Sequence, residues 1–155
     1  MYFDKGKKYY VVLYDNGCGD PAIFCKTKQE AIDEAFTLLN EGDIDDFDEV
    51  WFYEGYYLGH PEQKEVEING DDDQNSYTEE QWDEKAITKQ LTKKKGFDEF
   101  IVANERDGDW ADSFSDSGEV IKDIEERYDM ADNIYDDELV MFNVKFIGKM
   151  HLDIK

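Results

Sequence analysis

Cysteine and histidine are rare in this chain, and basic side chains are scarce beside the acidic ones. Its 155 residues hold two cysteines and two histidines. With no Cys-x-x-Cys or His-x-x-x-His pair among them, Cys18, Cys25, His60 and His151 do not have the spacing of a zinc site. Cys18 and Cys25 would face each other across a hairpin, but one pair in a chain with no export signal points to two reduced thiols. Long apolar runs are also missing: none approaches the ~18 residues of a membrane span. The opening MYFDKGKKYY has neither the apolar core nor the small-residue cleavage site of a signal peptide. The expected compartment is therefore the cytoplasm, of a cell or of an infected host. No glycine-rich phosphate loop follows a strand, and no Ser-His-Asp set is legible, so an enzyme is not expected.

The shortage of bases is the largest imbalance. Lysine and arginine total 17 against 40 aspartates and glutamates, a formal net charge of −23. A chain poor in apolar residues would be disordered at that charge, but 40% hydrophobic and 15% aromatic content argues for a folded core. The charge is concentrated in two blocks: residues 29 to 73 sum to −15, residues 96 to 143 to −13, and the remainder to +5.

The order of elements follows from periodicity. KYYVVLY (8 to 14), a turn DNGCGDP and AIFC (22 to 25) predict two strands. Thr27-x-x-Glu30 is a capping box, and Ala31, Ile32, Ala35, Phe36 and Leu39 recur at helical spacing until Glu41-Gly42. An acidic stretch, DDFDE, then opens the strand VWFYEGYYL. Shifted by 89 residues, the same pattern returns: EFIVANE, Gly108-Asp109, the cap Asp116-x-x-Glu119, the apolar positions Val120, Ile121, Ile124 and Tyr128, and LVMFNVKFIG. The acidic entrance returns too, with Asp48-Glu49-Val50 laid on Asp137-Glu138-Leu139.

The expected fold is α+β: two pseudo-repeated β-β-α-β units, antiparallel sheets with helices on one face, at about 8 to 60 and 97 to 149, in register without a gap. The sheets would be two related ones or one built from both. Domain limits follow as 1 to 60, 61 to 96 and 97 to 155. The connecting segment predicts a strand, KEVEIN, a polar turn and a helix from Thr78 to Lys95 with Trp82, Ala86, Ile87 and Leu91 inward. MHLDIK would form a last strand, and the oligomeric state stays open, with a dimer as one option.

Several motifs have simpler explanations. Lys93-Lys94-Lys95-Gly96 suits the last turn and cap of that helix better than a phosphate site. Asn69, Asp71, Asp73 and Glu80 imitate a calcium loop, but Gln74 stands where the sharp turn needs glycine. DGDWADSFSDSGE has Ala111 at a ligand position. Glu62-Gln63-Lys64 with Asp48 resembles the end of a metal-dependent nuclease site, but a nuclease must attract a polyanion, which −23 opposes. Neither a metal nor a cofactor is expected.

The acid itself remains to be explained. Asp20/Asp109, Glu30/Glu119, Glu34/Asp123, Asp43/Asp132, Asp48/Asp137 and Glu49/Glu138 are acidic in both halves. Like charges three or four apart on a helix cost about 0.2 to 0.5 kcal/mol per pair, and solubility needs a net charge of only about 2 to 8. Neighbouring carboxylates ~5 to 6 Å apart match the pitch of phosphates along a nucleic-acid strand. In charge, size and acidic helices the chain resembles, as a class, the DNA-mimic inhibitors that phages and mobile elements use against restriction, CRISPR or other nucleic-acid-binding proteins.

That resemblance implies a non-enzymatic inhibitor whose partner is a basic nucleic-acid-binding protein, with no direct contact to nucleic acid or membrane. The candidate contact acids are Asp43, Asp45, Asp46, Asp48 and Glu49 in the first block. In the second they are Asp109, Asp112, Asp123, Glu126, Asp129, Asp132, Asp136, Asp137 and Glu138. Trp51, Tyr56 and Trp110 would be aromatic anchors. The rival expectation is an immunity or antitoxin-like protein capping a single basic toxin or nuclease through specific pockets.

Overall fold

A computed structural model of the chain describes residues 3–14, 21–44, 50–69, 76–104, 111–127 and 139–149. The elements run β1 (Lys8–Tyr14), β2 (Ala22–Cys25), α1 (Lys28–Asn40), β3 (Val50–Gly59), β4 (Gln63–Ile68), β5 (Tyr77–Trp82), α2 (Glu84–Gln90), β6 (Glu99–Asn104), β7 (Asp112–Phe114), α3 (Ser117–Arg127) and β8 (Leu139–Lys149). It is a mixed α+β fold. Six strands form one antiparallel sheet in the order β2-β1-β3-β8-β6-β7, and β4 and β5 form a separate hairpin.

Alternation along the strands sorts side chains onto two faces. One face gathers Tyr9, Val11, Tyr53, Tyr57, Ile101, Phe142 and Val144 around Phe3. This face is concave. Phe24 of β2 stacks on Phe142 of β8 with ring centroids 5.2 Å apart, although three strand spacings would separate them by about 14 Å in a flat sheet. The Tyr53 hydroxyl of β3 likewise meets Ser113 of β7 across three spacings. Curling lets the sheet fill its own concave side with rings: Tyr9, Phe24 and Tyr57 each touch Phe3 or Phe142, edge-on, stacked or tilted.

The convex face carries the helices. Ala31, Ala35 and Leu38 of α1 pack on Val12, Cys25 and Val50, while Val120 and Ile124 of α3 pack on Phe100, Val102, Leu139 and Met141. Both helices start at side-chain caps. Thr27 Oγ1 accepts from the Glu30 N–H at 3.1 Å and Asp116 Oδ1 from the Glu119 N–H at 2.8 Å, each supplying an otherwise orphaned donor. α1 stops where Gly42 takes φ +81 and the Gly42 and Asp43 N–H groups donate to Leu39 and Leu38 carbonyls, a glycine-terminated cap. Phe36, expected inward, is 40% exposed. The buried stripe runs through Leu38 instead.

The central pair β3 and β8 is centred on Gly55 opposite Val144, which lie 89 residues apart; the flanking pairs Tyr53–Phe146 and Tyr57–Phe142 exchange under the same shift. A β-carbon on Gly55 would sit 2.4 Å from the Asn143 carbonyl oxygen and 2.6 Å from Val144 Cγ1. Only glycine fits there. Residues paired with Val11 and with Ile101 differ by 89, Phe24 against Ser113 and Tyr53 against Phe142, but the first strand does not keep that shift. Val11 pairs with Tyr53 and Ile101 with Phe142, a shift of 90. The ungapped register is therefore corrected at β6, because a one-residue slip would turn Ile101 and Phe100 onto the wrong faces.

The connecting segment also differs from expectation. Residues 77 to 82 form β5, paired with β4 from Gln63–Trp82 to Ile68–Tyr77, and the helix begins at Glu84 with Asp83 as its cap. YTEEQW alternates in and out as a strand does, and the hairpin satisfies backbone groups that a short helix would leave open. The helix ends at Gln90, so Lys93, Lys94 and Lys95 are not its last turn. They lead into a turn, closed by the Phe97 N–H on the Lys94 carbonyl at 2.8 Å with Gly96 at φ +87, that is held by Asn143, a fully buried amide. Its oxygen accepts from the Lys94 N–H at 2.7 Å, and its nitrogen donates to the Phe97 and Glu99 carbonyls at 2.9 and 3.0 Å. Lys94 Nζ lies 4.0 Å above the Tyr56 ring.

Candidate acidic interface

Acids on this molecule fall into compensated and uncompensated sets. The centre of the convex face is compensated: Glu54 of β3 lies between Lys8 at 3.5 Å and Lys145 at 3.6 Å, and its charge holds the Lys8 ammonium above the usual lysine range. The far edge is compensated as well. Arg127, the last residue of α3, has a side chain only 7% exposed; its Nε donates to Asp123 at 2.7 Å and its Nη2 lies 3.6 Å from Asp112 of β7. One cation thus ties the helix end to the edge strand. Burial pushes the Asp123 carboxyl up from its ordinary value, and the Arg127 charge opposes that rise.

The same places in the first half are apolar. Leu38 stands where the second half has Arg127, and Ile23 where it has Asp112. The acids of α1 have no such clamp. Glu30 is occupied by capping, its Oε2 accepting from the Lys26 N–H at 3.1 Å. Among the described residues the Asp33 carboxylate accepts from the neutral Gln29 amide at 2.9 Å and from no cation. Asp33, Glu34, Glu41 and Asp43 are exposed, and among the described residues no ion pair engages them. Glu34 and Glu30 are close enough to raise the Cys25 thiol, which burial chiefly pushes up to about 12. Cys25 is a buried free thiol.

Of the candidate residues, the structure places Asp43 in the turn after α1, Asp112 and Asp123 at the Arg127 clamp, and Glu126 exposed on α3. Trp51 packs at the margin of the concave core. Tyr56 lies half-buried between Lys94 and Phe97, its ring 5.2 Å from the latter. These do not form one patch with equal charge: Asp112 and Asp123 share a cation, while Asp43 does not. Asp45, Asp46, Asp48, Glu49, Asp109, Trp110, Asp129, Asp132, Asp136, Asp137 and Glu138 lie outside the described residues, as do Cys18 and His151.

Three acidic features escaped the sequence reading. Glu65 of β4 stands directly opposite Glu80 of β5, a like-charge cross-strand pair that costs stability and that a helix over 78 to 95 would not produce. Glu125 of α3 meets Glu84 of α2; burial first, then the hydrogen bond and charge of Glu84, raise its carboxyl. Asp33 is legible as a third exposed acid on α1 beside Glu30 and Glu34, since it follows Glu30 by one helical turn.

His60 is structural, its Nδ1 2.7 Å from the Leu139 carbonyl oxygen and its ring edge-on to Tyr57. Among the described residues no three His, Cys, Asp or Glu side chains gather at metal-ligand spacing, and no helix is long and apolar enough to cross a membrane. No protein-family model, no curated protein and no solved structure matches the chain.

Proposed function

We propose that the protein is a non-enzymatic inhibitor, acting in the cytoplasm, whose carboxylates occupy the basic groove of a nucleic-acid-binding protein in place of phosphates. The observation that carries this reading is the uncompensated acid of α1 and its C-terminal turn, where Asp33 and Glu34 on the doubly capped helix and Glu41 and Asp43 just after it are exposed. A rigid helix fixes carboxylates at ~5 to 6 Å, and a net charge of −23 steers a basic partner toward it. The Arg127 clamp makes α3 the weaker row, with Glu119 and Glu126 as its free acids. The partner class is a restriction, RNA-guided or other defence nuclease, or a basic toxin.

The experiment is affinity capture of purified nucleases of these classes on immobilised protein, followed by elution with a short DNA duplex. Capture that duplex DNA releases supports the reading. Capture that salt releases but duplex DNA at equal ionic strength does not would remove it. A second reading, an immunity-like protein that caps one toxin through a pocket, is favoured by an apolar groove between α1 and β8. It predicts one partner whose nucleic-acid site stays open.

We further propose that the two halves arose by internal duplication. The palindromic strand order and the exchange of β3 and β8 pairs under a shift of 89 support it. An experimental structure in which α1 and α3 sit at unrelated positions on the sheet would exclude it.

A further inference from the structure

Cations are scarce on this molecule beside its acids, and several of them gather at one place. α1 packs over β1 and β2, and α3 over β6 and β7, so among the described residues the middle of β3 and β8 lies between the helices on the convex face. Lys8 and Lys145 reach this gap from β1 and β8. Lys94 reaches it from the turn that the buried Asn143 amide holds. Each ammonium lies over a ring: Lys8 is 5.7 Å from the centroid of Tyr10, Lys94 4.0 Å from that of Tyr56 and Lys145 5.9 Å from that of Phe97. The rings hold the three charges against the sheet while their stems lie along apolar surface.

The local charge is opposite in sign to that of the chain. The three lysines of the 93 to 95 run with Lys8 and Lys145, against Glu54 and Asp98, give 5 − 2 = +3 in a protein of net charge −23. Glu99 turns to the other face of the sheet, where its charge acts on Tyr53. Glu54 is shared by Lys8 and Lys145, whose side chains are still 44% and 49% exposed. Lys94 is exposed, and among the described residues no ion pair engages it. The array is centred on Gly55 and Val144. Five strand positions, about 17 Å, separate that centre from Val50, Leu139 and Lys149, the limits of the described residues on these strands.

We infer that this array docks an acidic segment of a partner protein, whose carboxylates meet Lys8, Lys94 and Lys145 in the gap between the helices. Range decides the sign of the attraction. At about 0.1 M salt the screening length is ~10 Å, so an incoming carboxylate feels the lysines beside it and little of the acidic blocks; at about 0.01 M the length is ~30 Å and the whole negative chain repels it. A peptide suits the array better than a nucleic acid does. Glu54 and Asp98 accept hydrogen bonds from peptide N–H groups, whereas a phosphate backbone meets them with repulsion and carries its charge on toward the acidic blocks. The inference goes beyond the reading of α1 and does not depend on it.

The test is a titration of the isotope-labelled full chain with a short capped peptide of four glutamates alternating with serine, read by amide chemical shifts at about 0.1 M salt. Saturable shifts are expected at Glu54, Tyr56, Lys94 and Lys145, with affinity on the order of 1 mM. Lys94→Gln and Lys145→Gln should each weaken binding about two- to fivefold, the range for one exposed ion pair. Lys122→Gln, on α3, should leave it unchanged. Glu54→Gln removes the carboxylate with which the peptide competes and should tighten binding at least about twofold. Affinity should be lower at about 0.01 M salt than at about 0.1 M.

Array amides unmoved at about 10 mM peptide, or equal shifts from the same peptide with glutamine in place of glutamate, would overturn the inference. Unchanged affinity in both lysine variants, or weaker binding in Glu54→Gln, would do the same. Tighter binding of a short single-stranded DNA than of the peptide would assign the array to nucleic acid instead. Thermal melts of each variant separate lost binding from lost fold, and the lysine variants, which alter half-exposed or exposed side chains, decide the matter should Glu54→Gln not fold.

Discussion

Replacing Arg127 with leucine, the residue that the first half carries at Leu38, tests the division between compensated and free acids. Arg127 is 7% exposed and its partner Asp123 18% exposed, at 2.7 Å. Removing one member of a fully buried pair costs ~3 to 5 kcal/mol, and an exposed pair ~0 to 1. This pair stands nearer the buried case, so Arg127→Leu should cost about 2 to 3 kcal/mol and lower the melting temperature by about 5 to 10 °C. Most of that cost is the carboxylate left in a dry place, so Arg127→Leu with Asp123→Ala should recover more than half of it. The pH dependence has a definite sign. Burial already raises the Asp123 carboxyl and Arg127 opposes the rise, so losing Arg127 lifts it further. A raised carboxyl stabilises the fold below its unfolded value, and that contribution is lost as pH rises through the folded value. The deficit of the single variant should therefore be largest near neutrality and shrink toward about pH 4. Thermal melts by circular dichroism between those limits decide it: a deficit independent of pH, or equal in single and double variants, would refute the reasoning.

Gly55→Ala should fail to accumulate as folded protein, since its β-carbon meets the Asn143 carbonyl at 2.4 Å and Val144 at 2.6 Å, whereas Gly118→Ala, whose nearest contact is 3.3 Å, should be tolerated; soluble yield and melting temperature compare them. Glu125→Gln should raise the melting temperature near neutral pH and flatten its decline above the ordinary carboxylate range, because the raised Glu125 carboxyl beside Glu84 contributes stability that disappears as pH rises through its folded value. In a Cys18→Ser background the Cys25 thiol, pushed up to about 12, should resist a thiol reagent at about pH 8 until the protein is unfolded; rapid labelling of the folded protein would contradict the burial assigned to it.

The strands and helices with strong period were legible because local chemistry and tertiary packing agree. β1 and β2 fall where KYYVVLY and AIFC alternate, and α1 and α3 start at the side-chain caps read in the sequence. Failure came where periodicity was ambiguous. YTEEQW has polar residues that suit either period, and only its pairing with β4 decides for a strand. The one-residue offset of β6 was hidden because EFIVAN is apolar on both faces, as a central strand buried on both sides must be. At the candidate site, charge counting found the acidic blocks but not their partners. Arg127 is distant in sequence from Asp112, and only the fold of α3 onto β7 brings them within 3.6 Å. Likewise the lysine array has no sequence signature, because Lys8, Lys94 and Lys145 come from three separate segments and meet only across the sheet.

The central claim is that position, rather than total charge, makes the acids of α1 functional. Two variants with three fewer negative charges each separate these. One carries Asp33→Asn, Glu34→Gln and Asp43→Asn on and after α1; the other carries Asp4→Asn, Glu62→Gln and Asp98→Asn, exposed acids away from that face. Binding to a captured nuclease is measured by surface plasmon resonance at about 0.1 M salt, with duplex DNA as competitor. The α1 variant should lose at least about tenfold in affinity, mostly through slower association, while the other stays within about twofold of the unaltered protein. Equal losses in both would reduce the effect to net charge, and unchanged affinity in the α1 variant would contradict the account.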